Sequence, residues 1–238
     1  MPYRRLPNTD AARRKALSIA YQKGKELTPF ELSFSQHTFQ RIQSFLPSYE
    51  NALNASKSAY NSQVDRSTNY QNYYKKAKMY ISHFIQVFSL AVQRGDIPKE
   101  QAAYFGFQDG DVKVPKLHSE SDLIKWGEKL IHGEEQRRNK GLSAMTNPTI
   151  AVVKVRYEQF LEALKFQKTL QKNYHRALER VDELRKEADD IILAVWNEVE
   201  KSFEALEPDE KRKEAEKYGL IYIFRKSELK KEDSEVEN

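Results

Sequence analysis

The sequence predicts an all-α protein: duplicated helical hairpins forming an elongated antiparallel four-helix bundle, with a small two-stranded ribbon at one end. Three observations predict it. Apolar residues recur over long stretches with the period of a bundle helix. Gly and Pro are scarce, at 8 each in 238 residues, so elements should be long. Hydrophobic residues make up 39% of the chain and charged residues 32%, which suits a thin core with much solvated surface.

Residues 1–34 read as a basic arm and a first helix. Thr9 is placed to cap that helix and Asp10 to favour its dipole from the first turn. The helix should reach about Leu27 and stop at Thr28-Pro29. Ser33 or Ser35 then caps a longer segment.

Residues 35–107 carry the clearest stripe: Ile42, Phe45, Tyr49, Ala52, then Tyr70, Tyr73, Ala77, Tyr80, Phe84, Val87 and Ala91. It weakens between Ser56 and Ser67, where "NSQVDRSTN" (Asn61–Asn69) is rich in residues that favour turns and caps. This stretch reads as the corner of a first hairpin unit. The alternative is one helix through residues 35–94, roughly 90 Å long.

Residues 108–147 form a connector. Within it, Ser119 and Asp122 open a short amphipathic helix with Leu123, Ile124, Gly127, Leu130 and Ile131 on one face. It runs into "HGEEQRRNKG" and should be solvent-facing by Gly141, and Glu134-Glu135 reads as a solvated helix face.

Residues 148–224 read as a second hairpin unit, opened by Asn147 as cap and Pro148 at the first helical position. One stripe runs through Ile150, Val153, Tyr157, Phe160 and Leu164, another through Tyr174, Val181, Ala188 and Val195. Their registers differ, and the break in "FQKTLQKNYH" (Phe166–His175) reads as the second corner. Each half then shows a Pro, a short helix, an aromatic and a Gly in the same order, which argues for internal duplication. "YGLIYIF" (Tyr218–Phe224) has strand alternation and is expected to pair with "FQDGDVKVP" (Phe107–Pro115). The charged tail 225–238 is expected to be disordered.

The chemistry of sites is mostly excluded. There is no cysteine, hence no disulfide, thiol nucleophile or thiolate metal site. None of the histidines (His37, His83, His118, His132, His175) follows a Glu by three positions, so the di-iron bundle motif is missing. No phosphate-binding glycine motif and no nucleophile elbow occurs. No catalytic residue, metal ligand or cofactor is therefore assigned. No apolar run approaches the roughly 18 residues needed to span a bilayer, and the N-terminus has no signal-peptide pattern, so a cytoplasmic, non-membrane protein is expected. The tyrosines Tyr70, Tyr73, Tyr74 and Tyr80, interleaved with Lys75, Lys76 and Lys78, read as core packing rather than a base-stacking platform. His83 and Trp196 read as core or core-edge.

The net charge of +5 lies entirely in residues 1–30, where seven bases face two acids. Arg4, Arg5, Arg13, Arg14 and Lys15 are the candidate nucleic-acid contacts. As exposed charges, all five should be removable without loss of stability.

The stretches "KMYISHFIQVFSLAVQRGDIP", "NPTIAVVKVRYEQFLEALKFQKTLQKN" and "EKYGLIYIFRKSE" resemble those of an uncharacterised family of bacterial all-helical proteins with no assigned function. The resemblance covers most of the chain and implies no activity, partner or site. The sequence thus leads to a non-catalytic structural or protein-interaction bundle, with an unknown protein partner or a homodimer. The alternatives are a nucleic-acid-associated protein using the basic arm and a helical enzyme with a site assembled from dispersed residues.

Overall fold

The computed structural model describes residues 3–108 and 111–223. Their order is β1 (Tyr3–Arg4), α1 (Asp10–Glu26), α2 (Gln36–Gln93), a 3-10 helix (Lys99–Phe105), α3 (Glu120–Asn139), α4 (Ile150–Ser202), α5 (Pro208–Glu216) and β2 (Tyr222–Ile223). The chain is all-α apart from one antiparallel ribbon. The two long helices run antiparallel: Thr38 meets Glu198, Arg66 meets Phe166, and Tyr80 meets Arg156.

Two compact units divide the chain. The first holds Met1–Ala59 and Tyr174–Asn238, the second Tyr60–Asn173. The first unit builds its core from α1 (Leu17), the start of α2 (Ile42, Tyr49), the end of α4 (Ile191, Val195, Trp196) and Ala215 of α5. The second builds its own from the end of α2 (Ile81, Phe84, Phe88), Phe105, α3 (Leu123, Leu130) and the start of α4 (Val153, Phe160).

Several local readings hold. Thr9 accepts from the Ala12 N–H and caps α1. Ser35, not Ser33, caps α2 by accepting from Thr38 N–H at 3.2 Å. Ser119 and Asp122 form a reciprocal capping box on α3. Pro208 opens α5, and Gly106 and Gly219 follow the two short helices with φ of 79° and 87°, a left-handed backbone that only Gly adopts at little cost.

Other readings are corrected. Residues 61–69 and 166–175 are helical throughout, inside α2 and α4, so neither hairpin corner exists and the hairpin argument for duplication goes with them. The pattern weakens there for another reason. No residue of α2 from Asn54 to Asn69, and none of α4 from Lys168 to Arg180, is buried or packs against either core. A helix stretch with no core to face keeps no apolar stripe, and turn-favouring residues cost it only about tenths of a kcal/mol each. Helix α2 also accommodates Pro47, whose missing N–H removes one intrahelical bond. Helix α4 begins at Ile150, two residues later than expected, and the Asn147-Pro148 bond is cis. The ribbon partner is also different: Tyr222 and Ile223 pair with Arg4 and Tyr3, not with the 107–115 stretch. His83 is exposed, whereas Trp196 is buried. Phe224 and the 225–238 tail lie outside the described residues.

Candidate functional site

Several half-buried polar side chains among the described residues join helices to one another. In the first unit, both carboxylate oxygens of Asp10 on α1 accept from Arg185 on α4, at 2.8 and 2.6 Å. The Tyr49 hydroxyl of α2 donates to the same carboxylate at 3.0 Å. The hydrogen bonds from Arg185 hold the Asp10 carboxyl below its ordinary pKa, against the opposing pull of burial. One turn on, Arg13 donates through two nitrogens to Asp189, at 2.7 and 3.0 Å. At the start of α2, Glu198 accepts from Ser35 N–H and the Thr38 hydroxyl. Burial pushes its carboxyl up, but these hydrogen bonds outweigh burial and leave it below the usual value.

This places the basic arm. Arg4 lies in the ribbon, pairs with Glu200 at 2.9 Å and sits over the Trp196 ring. Arg13 is held by Asp189. Arg5, Arg14 and Lys15 are exposed. The five candidate cations are therefore not placed alike: Arg4 and Arg13 are held in ion pairs, and Arg5, Arg14 and Lys15 lie exposed.

The second unit contains a buried ion pair that the sequence reading assigned to solvent. Glu134 and Arg137 of α3 are essentially inaccessible, at 0% and 1% exposure. Arg137 donates to Glu134 at 2.5 Å, to Gln101 at 3.0 Å and to the Ser143 carbonyl at 3.0 Å. The other Glu134 oxygen accepts from Met145 N–H at 2.8 Å. The guanidinium also lies over the Phe88 and Phe105 rings. Every strong contact is internal, so this pair fastens the 3-10 helix and the 141–147 loop to α3. The signal was available: Leu123, Gly127, Leu130, Glu134 and Arg137 follow one three-four spacing, which places both charges on the buried stripe.

The second unit also carries a cleft of about 620 Å³ between residues 66–73 of α2 and 159–169 of α4. Tyr70 is fixed at its edge by a 2.5 Å hydrogen bond to Glu120 and by ring contacts with Tyr74 and Phe160. Tyr74 donates to the His118 carbonyl at 3.2 Å. Tyr70 and Tyr74 thus serve packing, as the stripe implied. Tyr73 and Phe166 do not: they line the cleft at 38% and 50% exposure, with Arg66 over the Phe166 ring. Gln167, buried beside them, has a side-chain carbonyl with no hydrogen-bond partner among the described residues.

The chain matches no family model, no curated protein and no solved structure. Among the described residues, no helix is long and apolar enough to cross a membrane.

Proposed function

We propose that this is a non-catalytic, cytoplasmic helical protein that works by protein–protein contact, with the second unit's cleft as its contact surface. The observation that carries this reading is the exposure of both Tyr73 and Phe166 along one cleft, beside the anchored Tyr70. Aromatic side chains on a fixed backbone give large contact area at small entropic cost, and such groups dominate protein interfaces. The polar networks fit the same reading, because they hold helices together and leave the apolar rim free.

Replacing Phe166 with the photo-crosslinker benzoylphenylalanine in the native cell tests it. A discrete crosslinked protein is expected, and the Tyr73→Ser change should abolish it. Labelling no different from that obtained with the crosslinker at the exposed Glu158 would dispose of the cleft as a contact surface.

The nucleic-acid reading now rests on Arg5, Arg14 and Lys15, the three arm cations left exposed. Three phosphate contacts give weak, steeply salt-dependent binding. Fluorescence anisotropy with labelled DNA and RNA at low salt is expected to show no binding.

A further inference from the structure

Phe30 is the most exposed large apolar residue described, at 101% of its reference accessibility. Leaving a phenyl group in water forgoes roughly 2 kcal/mol of hydrophobic stabilisation. The turn that carries it is not loose. The Thr28 carbonyl accepts from Glu31 N–H at 3.0 Å and Leu32 N–H at 3.1 Å. Thr28 in turn donates to the Glu31 carboxylate through its N–H at 3.2 Å and its hydroxyl at 2.8 Å. Leu32 and Phe34 then anchor the chain in the first unit's core. The backbone therefore aims Phe30 outward in a fixed direction, the preorganisation expected of an interface anchor.

Beside this knob lies a shallow, open depression shaped by Pro29, Leu32, Phe34, Glu198, Lys201 and Ser202. A protrusion and a recess adjacent on one surface are what an isologous contact requires, since a two-fold axis between them seats each knob in the other copy's recess. The charges agree. Lys201 has no ion-pair partner among the described residues, and Glu31 stands next to Phe30. Seating the knob brings opposite charges together. Glu198, the acid in the recess, is already engaged by Ser35 and Thr38.

We infer that the protein forms a two-fold homodimer in which Phe30 of each copy enters the recess between the 29–36 turn and the end of α4 of the other. This contact involves the first unit alone and does not depend on the cleft reading.

Sedimentation velocity over a concentration series tests it. The unaltered protein is expected to show a reversible monomer–dimer equilibrium. Phe30→Ser should weaken dimerisation by about tenfold or more, with an unchanged melting temperature at concentrations where the monomer predominates, because the exposed ring packs against nothing in the monomer. Ser202→Trp, which fills the recess, should do the same. Mixing these two variants should restore part of the association, since one intact recess then meets one intact knob. Phe166→Ala should leave the dimer untouched, which separates this contact from the cleft. The inference is overturned by a protein that stays monomeric into the millimolar range. It is equally overturned by a dimer indifferent to Phe30→Ser, by no recovery on mixing, or by a monomer that binds anionic vesicles through Phe30.

Discussion

The two units solve one problem differently: how to fasten helices with charge. The first unit puts its ion pairs at the margin. Asp10–Arg185 and Arg13–Asp189 are half-exposed, and they tie α1 to α4 over an apolar core that is complete without them. The second unit puts Glu134–Arg137 inside, between Phe88 and Phe105, with every strong donor and acceptor matched. A marginal pair keeps much of its hydration, and its loss is repaired by water. An interior pair has given up hydration entirely, so losing one partner strands the other. The difference teaches where a charge change is tolerated, and it can be put to test.

The largest effect is expected from breaking the interior pair. Glu134→Ala leaves the buried Arg137 without its counter-charge, although Gln101 and the Ser143 carbonyl still accept from it, and leaves the Met145 N–H without its acceptor; it should cost about 3–5 kcal/mol. Urea denaturation measures it, and hydrogen exchange should show protection lost first around Phe84–Phe105. A cost as small as that of the marginal pairs would erase the contrast between the units.

The next concerns the close approach that makes the interior pair possible. Gly133 lies one residue before Glu134, and a Cβ there would come within 2.4 Å of the Tyr104 carbonyl oxygen, which is backbone and cannot swing aside. Gly133→Ala should therefore push the 3-10 helix off α3 at a cost of about 1–3 kcal/mol, visible as a lowered denaturation midpoint. An isolated helix would gain from the same change, so the sign of the effect is diagnostic.

How much of this was legible beforehand follows from the kind of signal each feature leaves. The stripes named Ile42, Tyr49, Phe84, Val153, Phe160, Val181 and Val195, and all are buried. The caps at Thr9 and Ser119 were legible because capping uses short local patterns. The hairpin corners were misread because turn propensity was weighed without asking what the helix faces there. Asn61–Asn69 is helical although it is rich in Asn and Ser, since a helix anchored at both ends tolerates small local costs. The ribbon partner had no signal: two residues at Tyr3–Arg4 are too short for alternation. Phe30 and Phe166 could be read only from coordinates, because an exposed aromatic and a buried one look alike in sequence.

In the first unit, Asp10→Asn should cost about 1–2 kcal/mol at neutral pH, well below Glu134→Ala and in the lower part of the range for Gly133→Ala. It should also alter the acid limb of stability. The Asp10 carboxyl in the fold lies below its ordinary pKa. Its contribution is therefore complete above that ordinary value, near pH 4, and is lost as pH falls through the lowered one. Melting temperature plotted against pH between about 5 and 2 should fall less steeply in Asp10→Asn than in the unaltered protein. Parallel curves would mean that Asp10 contributes nothing through its charge.

The smallest effects separate the five arm cations from one another. Arg5, Arg14 and Lys15 are exposed, and changing all three to Ser should shift stability by no more than about 0.5 kcal/mol. Arg4 and Arg13 look the same in sequence but are held by Glu200 and Asp189. Changing these two should cost about 1 kcal/mol each, because Glu200 and Asp189 are themselves half-exposed and recover hydration when left alone. The five-residue Ser variant should therefore melt measurably lower than the unaltered protein, against the expectation that the whole arm is dispensable. The three-residue variant is the clean probe of any nucleic-acid binding, because it removes the free charges and leaves the fold intact. Equal stability of the three- and five-residue variants in thermal melts would show that the Arg4 and Arg13 pairs carry no weight. The first unit's marginal charges would then be surface charge alone, and the contrast with Glu134–Arg137 sharper still.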